Sequence, residues 1–109
     1  KKQKGSLIDI GAGNGLILRF FHKKGFNVTG MELSKKLTNQ MNKNPQMEGI
    51  KVIRGDIAEE TGNENYDYVL ASDVIEHIKD DEEALDNLFS FLKPGGLLVV
   101  SVPAHQFLY

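Results

Sequence analysis

Residues 6–10 (SLIDI) run straight into Gly11-Ala12-Gly13-Asn14-Gly15, and from Leu16 the periodicity of the chain changes. A five-residue apolar run that ends in glycines reads as a buried strand rather than a helix. The glycines must then turn the chain within one tight loop, where the absence of a Cβ permits positive φ. Beyond them Leu16, Ile17, Phe20 and Phe21 recur at helical spacing and are expected to face inward, with Arg19, His22, Lys23 and Lys24 on the other side. Lys23 and Lys24 suit a helix C-terminus and Gly25 its C′ position.

The same alternation continues. Residues 26–32 (FNVTGME) read as a second strand, and Ser34 caps a second helix through residue 42 or 43 with Leu37 and Met41 inward. Asn44-Pro45 ends that helix. Residues 50–54 form a third strand, 58–65 a polar turn and loop, and 66–72 (YDYVLAS) a fourth strand. A third helix starts at Asp80, with acids in its first turn and Ala84, Leu85, Leu88, Phe89 and Leu92 inward, until Lys93-Pro94-Gly95-Gly96 stops it. Residues 97–102 are a continuous apolar run, expected to be a fifth strand buried on both faces. Strands alternating with helices require crossover connections, so the fold class is α/β, a doubly wound, mostly parallel sheet flanked by helices.

At 109 residues there is room for one domain, 1–109. The net charge of -2 argues against a nucleic-acid partner, and Lys1, Lys2 and Lys4 read as a solvated terminus. No cysteine is present, so disulfides and thiolate chemistry are excluded. No apolar run approaches the roughly 20 residues of a membrane span and no signal peptide is visible, so the cytoplasm is the default location. The chain lacks an initiator Met and opens within a few residues of a strand, as a fragment of a longer protein would.

Parallel α/β sheets bind ligands at the carboxyl ends of their strands. After strand one come Gly11, Gly13 and Gly15, whose plain alternative role is a strand-to-helix turn. After strand two comes Glu32, 19 residues beyond Gly13, placed to accept from the vicinal hydroxyls of a ribose. Its alternative is a surface acid at a helix start. After strand three comes Asp56, which can accept from an exocyclic amine or cap a turn, with Ile57, Leu33 and Met31 as apolar walls. After strand four come Ala71, Ser72 and Asp73. Asp9 is an acid inside an apolar strand, where a buried charge needs a cationic or loop N–H partner.

LIDIGAGNG at residues 7–15 resembles motif I of class I methyltransferases. Glu32, Gly55-Asp56, YDYVLASDVIEHI at 66–78 and LKPGGLLVVSVP at 92–103 resemble the later motifs, in order and at family spacing, across nearly the whole chain. The resemblance implies a Rossmann-like fold and S-adenosylmethionine as cofactor, released as S-adenosylhomocysteine. It places the methionine ammonium at Asp9 and the Gly11 backbone, and ligand space along Ala12, Gly13 and Gly15. The ribose falls to Glu32, the adenine to Asp56, Ile57 and Leu33, and backbone contacts to Ala71 and Ser72. The sulfonium already activates the methyl group, so the protein orients the acceptor and excludes water. His77 is the best candidate base, with Asp73 second; the alternative for His77 is a packed turn residue. No histidine stands at metal-ligand spacing from another, so no metal is expected.

Family members usually continue through two more strands, so the chain is expected to be the first five strands of a seven-stranded fold, with its C-terminal strands absent. An uncovered strand-five edge would then invite self-association. Residues 101–109 (SVPAHQFLY) would lead toward the site of a small-molecule acceptor, with Phe107 and Tyr109 lining it. A nicotinamide-dependent oxidoreductase would want Gly or Ala where Leu16 stands. A cofactor-binding scaffold or sensor without catalysis, and an aminopropyl transferase, share the fold.

Overall fold

The computed structural model describes residues 4–72 and 82–101. Among the described residues nine elements follow one another: β1 (Ser6–Ile10), α1 (Leu16–Lys23), β2 (Asn27–Glu32), α2 (Lys35–Lys43), a 3-10 turn (Pro45–Met47), β3 (Lys51–Arg54), β4 (Tyr66–Ser72), α3 (Glu82–Ser90) and β5 (Leu92–Ser101). The five strands form one sheet in the order β3-β2-β1-β4-β5, and every pairing is parallel. The chain enters at the middle, winds outward to β3, then returns to lay β4 on the other flank of β1. That reversal opens a crevice at the carboxyl ends of β1 and β4.

Strand alternation divides the core between the two faces of the sheet. Leu7 of β1, Val28 and Val52 pack with Leu18 of α1 and Met41 of α2 on one face. Ile8 and Ile10 pack with Val69, Ala71, Ala84, Leu88 and Phe91 on the α3 face. The helix boundaries have local causes. Ser34 Oγ accepts from Leu37 N–H at 3.1 Å and caps α2, and Asn44 Oδ1 accepts from Gln46 N–H at 2.9 Å just before Pro45. Both bonds satisfy donors that a helix start leaves orphaned.

Three expectations are corrected. In α1 Leu18 is fully buried and Phe21, half-buried, packs against the same core as expected, whereas Leu16 and Phe20 are 61% and 55% exposed and Ile17 is half-buried. The phase is set by Gly15, which starts the helix from a left-handed conformation at φ 84°. The third helix ends at Ser90, so Leu92 opens β5 instead of closing the helix. Its inner face also differs, with Asn87 buried and Phe89 exposed. The cause is a ladder bond from Tyr66 N–H to Phe91 O at 3.0 Å, which recruits the chain into the sheet. Opposite Asp67 the register jumps from Tyr66↔Leu92 to Tyr68↔Leu97, so residues 93–96 bulge within β5. Finally, β5 is not buried on both faces: Leu97 is 56% and Val99 42% exposed, because β5 is the edge strand among the described residues.

The amino ends of β1 and β4 are locked by a polar knot. Asp67 Oδ2 accepts from Ser6 N–H at 2.9 Å and from the Ser6 hydroxyl at 3.1 Å, and Asp67 N–H returns a bond to Ser6 Oγ at 3.1 Å. Lys93 Nζ stands 3.4 Å from Asp67 Oδ1. The Ser6 N–H above all, then the Ser6 hydroxyl, hold the Asp67 carboxyl below its usual range; desolvation opposes them and Lys93 adds to them.

Two outcomes follow. Leu18→Ala should cost about 2–5 kcal/mol in urea unfolding, whereas Phe20→Ala should stay within about 0.5 kcal/mol; the opposite ranking would restore the expected phase of α1. Because the Asp67 carboxyl is depressed in the folded state, its stabilisation is present above the unfolded value of about 3.9 and disappears as pH falls through the folded value. Asp67→Asn should therefore unfold more readily than the parent near neutral pH, with the gap closing below about pH 4.

Candidate functional site

The loops after β1 and β3 are both pinned to the end of β2. Gly11 N–H and Ala12 N–H donate to Met31 O at 2.8 and 3.1 Å, and Gly55 N–H donates to Glu32 O at 3.1 Å. The side chain of Glu32 completes the junction. Its Oε1 accepts from Gly13 N–H at 2.7 Å and its Oε2 from Ser34 N–H at 2.9 Å, with the residue only 8% exposed. One carboxylate thus bridges the glycine loop and the start of α2. Neither α1 nor α2 carries an acid in its first turn, so Glu32 supplies the negative charge that the positive end of α2 favours. A carboxylate offers about four lone-pair positions, and two N–H bonds leave acceptor capacity for hydroxyl donors.

Gly11, Gly13 and Gly15 take φ of 85°, 61° and 84°, which side chains rarely adopt. Their surroundings differ. A Cβ on Gly13 would meet nothing within 4 Å, so the loop is open there to an approaching ligand. A Cβ on Gly15 would lie 2.8 Å from Met47 Sδ and 3.1 Å from Met41 Sδ. On the side where a Cβ would stand, Gly15 backs onto the core.

The remaining candidates divide in the same way. Asp9 is fully buried, in register between Gly30 and Leu70 at the centre of the sheet. Leu33, half exposed next to Glu32, is free to cover a ring. Asp56 caps its turn, with Oδ1 accepting from Ala58 N–H at 2.9 Å and its carbonyl from Glu59 and Glu60 N–H at 2.9 and 2.8 Å. Ile57 and Met31 are buried among the residues of the α3-side core. Ala71, aligned with Ile10, and Ser72 end β4 beside the glycine loop. Asp73 and His77, like Glu76 and residues 102–109, lie outside the described residues. Among the described residues no group of three or more His, Cys, Asp or Glu could hold a metal ion.

Sequence reasoning missed Ser34 N–H as the second partner of Glu32, although a cap residue two positions after an acid is a usable signal. It also missed Asn87, whose Nδ2 donates to Ile57 O at 2.7 Å and ties α3 to the loop after β3.

The fold and this arrangement define a Rossmann-like domain with a glycine loop and an acidic β2 end, the pattern of a nucleoside-type cofactor site. A family model described as "Methyltransferase domain" matches residues 1–108, and the chain belongs to that family, the class I S-adenosylmethionine-dependent methyltransferases. The "Ubiquinone biosynthesis O-methyltransferase" of Rickettsia canadensis (strain McKiel) is 30% identical over 97 residues, covering 87% of this chain and 41% of that protein. An S-adenosylmethionine-dependent methyltransferase from Mesorhizobium loti superposes with a TM-score of 0.77 at 25% identity, over 90% of this chain and 46% of that one. Coclaurine N-methyltransferase, solved with N-methylheliamine and SAH, superposes with a TM-score of 0.79 at 23% identity, over 92% and 31%. The chain therefore spans less than half the length of these relatives.

If Glu32 is the junction of the loop, Glu32→Ala should release the Gly13 and Ser34 amides. Hydrogen exchange at both should quicken without ligand, with a stability loss of about 1.5–3 kcal/mol for bonds to a charged acceptor. Unchanged protection at Gly13 would contradict the bridge.

Proposed function

We propose that the chain is the cofactor-binding part, a single domain over 1–109, of an enzyme that transfers the methyl group of S-adenosylmethionine to a small-molecule acceptor. The observation that carries this is the Glu32 carboxylate, fixed beside a loop glycine, Gly13, that faces open space. Family membership supports the cofactor, and the resemblance to an O-methyltransferase supports a small organic acceptor.

The residues present fit this cofactor. Glu32 has acceptor capacity for ribose hydroxyls, the Gly11–Gly13 backbone leaves room for the amino-acid portion, Leu33 offers an apolar surface to adenine, and Asp56 stands at the next strand end. Asp9 lies below the loop, where its charge favours an ammonium group above it. When bound, the cofactor supplies an activated methyl group. The chain's own part is to hold that group, exclude water and align the acceptor. His77 accepts the acceptor's proton, with Asp73 the second candidate for that role.

The test uses the full-length protein. S-adenosylhomocysteine should bind in calorimetry, and methyl-labelled cofactor should pass label into a component of a small-metabolite extract. Glu32→Ala should weaken binding by about tenfold or more, the loss of one charged hydrogen-bond acceptor. His77→Ala should slow turnover by roughly 10²-fold while binding stays intact. Binding with no transfer to any extract would favour a scaffold or sensor instead.

A further inference from the structure

Charge is unevenly distributed along this chain. Residues 1–54 hold eleven Lys and Arg against three Asp and Glu, and residues 55–109 hold two against twelve. The topology converts that sequence asymmetry into a spatial one. The first stretch builds β1, β2, β3 and the α1/α2 layer; the second builds β4, α3 and β5. Of the acids in the first stretch, Asp9 and Glu32 are buried, which leaves Glu48 at the surface. Neither α1 (LILRFFHK) nor α2 (KKLTNQMNK) contains an acid. Lys23, Lys24, Lys35, Lys36 and Lys43 are exposed on this layer, and Lys51 and Arg54 on the adjoining edge strand. On the opposite layer Glu82, Glu83 and Asp86 of α3 are exposed.

The basic layer is also apolar where a surface helix should be polar. Leu16 and Phe20 are the exposed pair of α1, and Lys24 Nζ lies 5.4 Å from the centroid of the Phe20 ring. Leu16, Phe20, Lys23 and Lys24 follow i, i+4, i+7, i+8 spacing, so one stripe of α1 carries hydrophobic side chains and then ammonium groups.

We propose that the α1/α2 layer is a docking surface for an anionic lipid bilayer. Its charges are mostly lysine ammoniums, point charges suited to a diffuse negative plane. Leu16 and Phe20 are side chains that enter the headgroup boundary of a bilayer. A nucleic-acid track would instead favour arginine forks and stacking aromatics along a concave groove, whereas this surface is the backs of two helices. The acidic α3 layer is repelled by the same membrane, so the charge separation orients the molecule as well as attracting it. Because α1 and α2 both start at the carboxyl edge of the sheet, the docked face runs up to the rim of the glycine-loop crevice.

The experiment is co-sedimentation of the full-length protein with vesicles of phosphatidylcholine alone or mixed equally with phosphatidylglycerol. The protein should partition onto the mixed vesicles and not the neutral ones, and should leave them at molar salt, where the screening length is about 3 Å. Each lysine near an anionic surface contributes about fivefold, so Lys36→Gln with Lys43→Gln should weaken partition by roughly 25-fold at unchanged melting temperature. Phe20→Ser should weaken it further, and Glu82→Gln with Asp86→Asn should not. No partition onto anionic vesicles at low salt overturns the proposal. So does equal partition onto both vesicle types, a folded double-lysine variant that binds like the parent, or binding to duplex DNA with none to vesicles.

Discussion

The site depends on a single carboxylate that holds three chain segments together. Glu32 ends β2, reaches back to the amide of Gly13 and forward to the amide of Ser34. Backbone amides in a tight loop and at a helix start have no partners within their own elements. Glu32 satisfies one of each with a charged acceptor, stronger than a neutral one. It does so at the sheet's carboxyl edge, where β1 and β3 are already tied to β2 through Met31 O and Glu32 O. A loop held this way has its shape before any ligand arrives, so binding need not supply the ordering.

Much of this was legible in the sequence. Short apolar runs bounded by glycines or polar clusters located β1, β2, β3 and β4 to within a residue, because their length and flanks suit strands better than helices. Glu32 and the glycine loop were legible because their spacing is fixed by one strand–helix–strand unit. The phase of α1 was not. Five of its eight residues are apolar, and Leu16, Ile17, Leu18, Phe20 and Phe21 fit more than one inward stripe. The choice was made by the left-handed turn at Gly15 and by close packing at Gly30, where a Cβ would sit 2.5 Å from Leu18 Cδ1. Neither is a property of helical periodicity. Leu92 reads as helical for a similar reason: its spacing fits α3, but its pairing with Tyr66 is a contact between residues far apart in sequence.

The roles of Gly15, Ile57 and Asp56 show a further limit. All three stand where a ligand site was expected, and spacing alone cannot say which way a residue faces. Gly15 is required by Met41 and Met47 behind the loop, and Ile57 by the α3 core. Asp56 spends one oxygen on its own turn. What separates Gly13 from Gly15 is three-dimensional: positive φ with open space suits a ligand, and positive φ against two sulfurs suits packing.

Comparing the two ends of the sheet sharpens that distinction. Each end has an acid that accepts two backbone or hydroxyl bonds. At the amino end, Asp67 is answered by Ser6 and Lys93, so donors, acceptor and countercharge all come from the chain. Nothing there requires a visitor. At the carboxyl edge, Glu32 is buried and bonded to amides, and the glycine beside it faces empty space. A negative group with acceptor capacity to spare, next to backbone stripped of side chain, is complementary to a ligand rich in hydroxyl donors. The difference between these two acids is therefore whether the chain supplies every partner, not the chemistry of the carboxylate.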